Sequence, residues 1–231
     1  MPKLKQYSEK SFTAPIEGKV IRFANNPAQR TYIKNRVDRI NTKEPETINW
    51  INGFEKGSIF FDVGANIGIY TLYSAVKIEN TVYSFEPHSV NYKNLLDSIS
   101  LNELKNCHAF CFAVSNRTAL SSIQVKDLHE GVADNVVGVR GEYYHGCVEM
   151  SLDFLVKKGI LPQPDYIKID VDGYEDKVVS GALETIQKCK SILVEIDNKH
   201  RHLLKEITDQ GLKITSKFKR NSEESNYIFI K

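Results

Sequence analysis

The run Phe60-Phe61-Asp62-Val63-Gly64-Ala65-Asn66-Ile67-Gly68 joins an apolar strand, an acid and a small-residue turn with two glycines to the helical period that follows. Where a strand passes through glycines into a helix, unbonded backbone N–H groups and the positive helix end converge on one spot, which suits an anionic ligand group. Glu86 lies 22 residues beyond Gly64, at the end of the next strand-like run, Thr81 to Phe85. A carboxylate there can accept both hydroxyls of a ribose, so turn and acid together predict a nucleoside cofactor.

The turn also narrows which nucleoside. A dinucleotide fingerprint needs G-x-G-x-x-G so that the backbone can approach a pyrophosphate; here the series is G-A-N-I-G, with Asn66 in the middle position. Asp62, two residues before Gly64, repels phosphate and suits an ammonium group. S-adenosyl-L-methionine carries such an amine, one carboxylate and no phosphate, and is the expected cofactor. The alternative is a nicotinamide-dependent oxidoreductase or epimerase, which shares the strand–helix–strand logic and Glu86 but not the glycine spacing.

Two later strand-like runs end in acids: Ile169-Asp170-Val171-Asp172-Gly173-Tyr174-Glu175 and Val194-Glu195-Ile196-Asp197. In an open parallel sheet, ligands bind beyond the carboxyl ends of the strands at the topological switch point, so these acids should share a crevice with the glycine turn. Asp170 and Glu195 are the candidate general bases, either one with a pKa raised by burial or by the other's charge. Asp172 and Glu175 suit a helix N-terminus equally well, and His200, among Lys199, Arg201 and His202, reads as a surface residue. Asp170, Asp172, Glu195 and Asp197 could hold a hard cation, but no metal site is assigned.

The elements that must position these groups follow from periodicity. Ser58–Val63 and Thr81–Phe85 are strand-like, and each is followed by a helical period, 67–78 and 88–104. Consecutive β-α units predict an α/β fold with a mostly parallel sheet and helices on both faces. Cys107 to Val114 and Ser121 to Val125 read as further strands, 127–147 as a loop with at most one strand, and 151 onward as a short helix. Tyr166–Asp170 and Ser191–Ile196 are strands flanking one helix over 174–189. A helix over 200–210 precedes a closing antiparallel pair, 212–218 and 227–230.

At 231 residues the chain is long enough for a core without staples. Its 41% hydrophobic and 26% charged residues exclude collagenous and disordered classes. The net charge of +2 gives no sign of a nucleic-acid partner. Residues 1–47 form a basic extension carrying +5, leaving −3 on a 48–231 catalytic domain. Its apolar residues, among them Ile21, Phe23 and Ile33, predict that part of it packs near the strand ends and joins the acceptor pocket. Cys107, Cys111, Cys147 and Cys189 have no metal-ligand spacing, and Cys107 and Cys111, in one apolar run, read as reduced core thiols. No membrane span or signal segment is visible, so a cytoplasmic location is expected.

The segments DVGANIG, YSFEPHSVNYKNLLDSISLN, FAVSNRTALS, SLDFLV, PDYIKIDVDGYEDKVVSGA and ILVEID, in this order, resemble the FkbM family of S-adenosylmethionine-dependent methyltransferases over about residues 58–197. The resemblance implies a Rossmann-like class I methyltransferase fold with a seven-stranded sheet whose last two strands form the C-terminal hairpin. It implies O-methylation of a hydroxyl on a sugar, glycan or secondary metabolite. It matches Asp62, Gly64, Asn66 and Gly68 to the methionine-side loop, Glu86 to the ribose acid, and Ala113 and Val114 to the adenine-side contact. One departure is Asp172, where the family commonly has Glu. The Pro-Pro-aromatic tetrapeptide of amine methyltransferases is replaced here by Asp-Val-Asp-Gly, so a nucleic-acid acceptor is not expected.

Overall fold

A computed structural model describes residues 11–16, 18–125, 136–137 and 143–231. In chain order the elements are β1 (Ser11–Ile16), β2 (Lys19–Ala24), α1 (Arg30–Asp38), α2 (Pro45–Asn52), β3 (Ile59–Val63) and α3 (Ile69–Tyr73). Next come β4 (Thr81–Phe85), α4 (Ser89–Leu101), β5 (Cys107–Phe110), β6 (Ala113–Val114), β7 (Ala119–Val125), β8 (Val136–Val137) and β9 (Tyr143–Met150). The chain continues through α5 (Leu152–Lys157), β10 (Tyr166–Ile169), α6 (Glu175–Ser180) and α7 (Leu183–Ile186). It closes with β11 (Ser191–Asp197), α8 (Leu203–Thr208), β12 (Lys213–Lys219) and β13 (Glu224–Ile230).

Seven strands form one sheet in the order β12-β13-β11-β10-β3-β4-β5. β3, β4, β5, β10 and β11 are mutually parallel, and β13 enters antiparallel between β11 and β12. This is the seven-stranded, mostly parallel arrangement that the resemblance implies, with the C-terminal hairpin in its expected place. The order reverses between β3 and β10, which puts the carboxyl ends of those two strands at the switch point where α/β sheets bind ligands.

Both sheet faces are covered, because buried parallel strands have apolar side chains on each side. Phe61, Val63, Ile167, Ile169, Ile192 and Val194 pack against α5 to α8 on one face. On the other, Phe60, Val82 and Tyr166 pack with α1, α2, α3 and the β1–β2 hairpin. The basic extension is therefore part of the core: Ile21, Phe23 and Ile33 are fully buried, and the boundary expected at residue 47 falls inside α2. Its first ten residues lie outside the described residues. Trp50 of α2 donates its indole N–H to Ser191 Oγ at 2.9 Å, fixing α2 to β11.

Several expected elements differ. Residues 174–189 form two short helices rather than one: the Gly181 carbonyl accepts from Asp153 N–H and the Ser151 hydroxyl, and the Asp153 carboxylate accepts from the Glu184 and Thr185 N–H groups that open the second helix. At the break the chain lies so close to Ser115 that a Cβ at Gly181 would fall 2.0 Å from its carbonyl oxygen. The strand expected over 107–114 stops at Phe110. Ala113 and Val114 belong instead to a four-stranded sheet, β6-β9-β7-β8, in which β9 occupies part of the expected loop. Cys111 is exposed rather than a core thiol, and all four cysteines are free. Among the described residues no helix is long and apolar enough to cross a membrane.

Candidate active site

The carboxyl ends of β3, β4, β10 and β11 open on a cleft of about 230 Å³. That is several times the roughly 30 Å³ share of one water molecule, so it is a ligand-sized space. Gly64, Asn66, Glu86, Ala113, Val114, Asp170 and Glu195 all line it.

The turn after β3 needs its glycines. Gly64 has φ +79° and Gly68 φ +88°; a Cβ at Gly64 would fall 1.8 Å from the Asp170 carbonyl oxygen, and one at Gly68 2.4 Å from Leu95 Cδ1. Asn66, with φ 51°, occupies the same left-handed region that Asn tolerates better than most residues. The backbone N–H groups of Gly64 and Ala65 donate to the Phe85 carbonyl. Asn66 N–H donates to Glu86 Oε2, and His88 N–H to Oε1, both at 2.8 Å. Glu86 thus ties the turn to the end of β4, and with a third bond from the Asn91 side chain it keeps one of its four acceptor positions for a ligand hydroxyl. Burial pushes its carboxyl up to about 7, against the lowering by these two N–H donors.

The chemistry of the lining suits a nucleoside sulfonium. Ala113, Val114, Ile123 and Val137 give one end of the cleft an apolar wall for a flat ring, Glu86 gives it a hydroxyl acceptor, and carboxylates at the other end suit a positive centre. Gly68 and Asp62 stand apart from this lining. Gly68 packs beneath the turn against Leu95. Asp62 points to the α3 face of the sheet, fully buried, with Oδ2 accepting from Thr71 Oγ1 at 2.7 Å and Oδ1 without a partner among the described residues. Strand alternation puts it there: Phe61 and Val63 face α5 to α8, so Phe60 and Asp62 face α3.

Asp170 and Glu195 come together as the sequence pattern suggests, with a side-chain hydrogen bond between them. Burial alone would raise both. Lys168 Nζ, 2.8 Å from Asp170 Oδ2, overcomes that for Asp170 and, with a hydrogen bond from Glu195, holds it well below the usual carboxylate range. Glu195 is pushed up to about 9 by burial and by the Asp170 charge, so it carries the proton at neutral pH. Lys168 is 1% exposed and aligned with Asp62 on β3. Burial works against its charge, but Asp170, Asp62 and Glu44 together keep it protonated.

Lys168 was the legible signal that motif reading passed over, since a lysine inside the apolar run Tyr-Ile-Lys-Ile of a two-sided buried strand needs a buried anion. Arg220 had no such signal. From the β12–β13 loop it donates Nη2 to Glu44 Oε1 at 2.8 Å, Nη1 to the Lys43 carbonyl at 3.2 Å, and approaches Glu195 Oε1 at 3.4 Å. Arg36, Lys43 and Glu44 of the extension reach the cleft. The remaining acids serve loops: Glu175 accepts from the Val171 and Gly173 N–H groups, and Asp197 from those of Lys199 and His200. Asp172, at φ 51°, lines the cleft. Among the described residues no group of three or more His, Cys, Asp or Glu side chains is placed to hold a metal ion.

A family model described as the methyltransferase FkbM domain matches residues 62–216. Hexuronic acid methyltransferase AglP of Haloferax volcanii is 26% identical over 142 residues, 62% of this chain and 57% of that protein, so the chain spans little more than half of this relative's length. Among solved structures, Aeropyrum pernix fibrillarin with natively bound S-adenosyl-L-methionine has a TM-score of 0.56 at 9% identity, covering 95% of this chain and 82% of that one. A SAM-dependent methyltransferase from Aquifex aeolicus has a TM-score of 0.50 at 12% identity, covering 87% and 97%. At such identities the likeness is one of fold.

Proposed function

The chain belongs to the FkbM methyltransferase family, and from that premise we propose that it transfers a methyl group from S-adenosyl-L-methionine to a hydroxyl oxygen of a sugar or glycan. The observation that carries this reading is that Glu86, Asp170 and Glu195 line one and the same cleft. Similarity to a hexuronic acid methyltransferase supports a sugar acceptor.

When bound, the cofactor would supply an electrophilic methyl on a sulfonium, with a neutral thioether as the leaving group for the new C–O bond. Glu86 would accept a ribose hydroxyl, the glycine turn would hold the methionine side, and Ala113 and Val114 would form the adenine wall. Asp170 accepts a hydrogen bond from the acceptor hydroxyl and takes its proton. As the C–O bond forms, that hydroxyl becomes a far stronger acid, so a carboxylate held below its usual range suffices. Glu195, protonated, donates to Asp170 and orients it. Most of the rate advantage comes from this alignment.

S-adenosylhomocysteine should bind with a micromolar Kd, about −8 kcal/mol, and NAD should not. Calorimetry that finds tight NAD binding and no response to S-adenosylhomocysteine would reject the cofactor. Glu86→Ala should weaken S-adenosylhomocysteine about 10- to 150-fold, from hydrogen bonds to a charged group worth about 1.5–3 kcal/mol. In the wild type that affinity should improve as pH rises through about 7, where Glu86 ionises and becomes a better acceptor. With methyl-labelled cofactor and a glycan extract, the labelled product should survive mild alkali, as an ether does; release of the label as methanol would mark a carboxyl ester and remove the hydroxyl acceptor.

A further inference from the structure

The basic extension places one cation in the cleft that has no carboxylate partner among the described residues. Tyr32 and Arg36 stand one helical turn apart on α1, so they share a face. Tyr32 donates its hydroxyl to Asn66 Oδ1 at 3.2 Å, which fixes this face of α1 over the glycine turn. The Arg36 guanidinium carbon lies 5.9 Å from the centre of the Tyr32 ring, and Arg36 lines the cleft. It is half-buried and close enough to Asp170 and Glu44 to feel both charges.

Those two acids are already taken. Asp170 pairs with Lys168 at 2.8 Å, and Glu44 with Arg220 at 2.8 Å and Lys43 at 3.4 Å. Among the described residues no carboxylate lies within 4 Å of Arg36, although every other cation lining the cleft has one. A partly desolvated guanidinium held against an aromatic ring, with no carboxylate at its N–H edge among the described residues, is built for a planar anion that accepts two parallel bonds. Its nearness to Asp170 puts that anion beside the reacting hydroxyl, away from the apolar end of the cleft.

We infer that Arg36 is the residue that selects an acidic acceptor: it binds the carboxylate of a uronic acid whose hydroxyl is presented to Asp170. This rests on the sugar-acceptor reading above. It also assigns the extension, which lies outside the matched segment 62–216, the role of setting acceptor choice.

The test uses paired probes, 4-nitrophenyl glucuronide and galacturonide against the corresponding glucoside and galactoside, with the full chain and saturating S-adenosyl-L-methionine. The wild type should prefer the uronides in kcat/KM by about 10- to 100-fold, the scale of a charge-assisted bidentate contact. Arg36→Ala should erase that preference by losing activity on the uronides alone, with S-adenosylhomocysteine affinity unchanged, and Arg36→Lys should restore part of it. Equal use of uronide and neutral glycoside by the wild type overturns the inference. So does a loss of S-adenosylhomocysteine affinity in Arg36→Ala, which would assign the bound carboxylate to the cofactor. Methyl transfer to none of the four overturns the sugar reading itself and the inference with it, whereas turnover without preference overturns the inference alone.

Discussion

Asp170→Asn is expected to lower methyl transfer about 10²- to 10⁴-fold with S-adenosylhomocysteine affinity retained, while Glu195→Gln should cost far less, about tenfold at most. The asymmetry follows from where the shared proton sits. Glu195 is already neutral, and a glutamine amide keeps its size, its lack of charge and a donor toward Asp170. An asparagine at 170 removes the one ionised oxygen that can take a proton, and leaves Lys168 with a neutral partner. Single-turnover methyl transfer with saturating cofactor and acceptor measures both variants. Equal losses would mean that the proton is not localised on Glu195, and full activity in both would remove carboxylate base catalysis.

The same assignment sets the pH profile. Asp170 is held well below the usual range, so it stays ionised and kcat should be flat from pH 6 to 8. As Glu195 loses its proton toward about 9, two adjacent carboxylates share the site and the base strengthens, so kcat should climb. That climb should be missing in Glu195→Gln. A tenfold rise per pH unit already between 6 and 8 would instead make Glu195 the base.

Lys168→Met should produce the largest loss of stability. The ammonium is fully enclosed and offsets two buried carboxyl groups, Asp62 and Asp170, while also lying 5.0 Å from the centre of the Tyr70 ring. Removing one partner of a buried charge pair typically costs about 3–5 kcal/mol, because the other is left uncompensated. At roughly 2–4 °C per kcal/mol for a domain of this size, Tm should fall by about 6–20 °C at pH 7. The folded-state pKa of Asp170 is depressed, so the stability it contributes is present above its unfolded value near 3.8 and lost as pH falls through the folded value. The gap between wild type and Lys168→Met should therefore be full at pH 7 and shrink below about pH 4. Calorimetric scans at both pH values measure this; an unchanged Tm at pH 7 would mean that Asp62 and Asp170 protonate without cost and need no cation.

Much of this protein is written locally in its sequence. The Gly64-to-Gly68 turn, Glu86 at the end of β4, and Asp170 and Glu195 at the ends of β10 and β11 are each set by a few consecutive residues. Strand alternation and glycine conformation act over that same short range, and a parallel sheet then gathers strand ends at one switch point. The C-terminal hairpin and the β-α-β order were legible for the same reason. The tertiary structure decided what depends on partners far away in sequence. Arg220 meets Glu44 across 176 residues, and Tyr32 meets Asn66 across 34, so no local pattern reveals that the basic extension walls the cleft. Asp62 faces α3 rather than the cleft because a strand residue's side follows from which helices cover each face, a property of the whole sheet. The break at Gly181 depends on Ser151 and Asp153 at the start of another helix, which take its carbonyl and cap the helix that follows. Which of two neighbouring carboxyl groups keeps a proton was decided last of all, by a lysine two residues before Asp170 whose burial comes from the strands on either side.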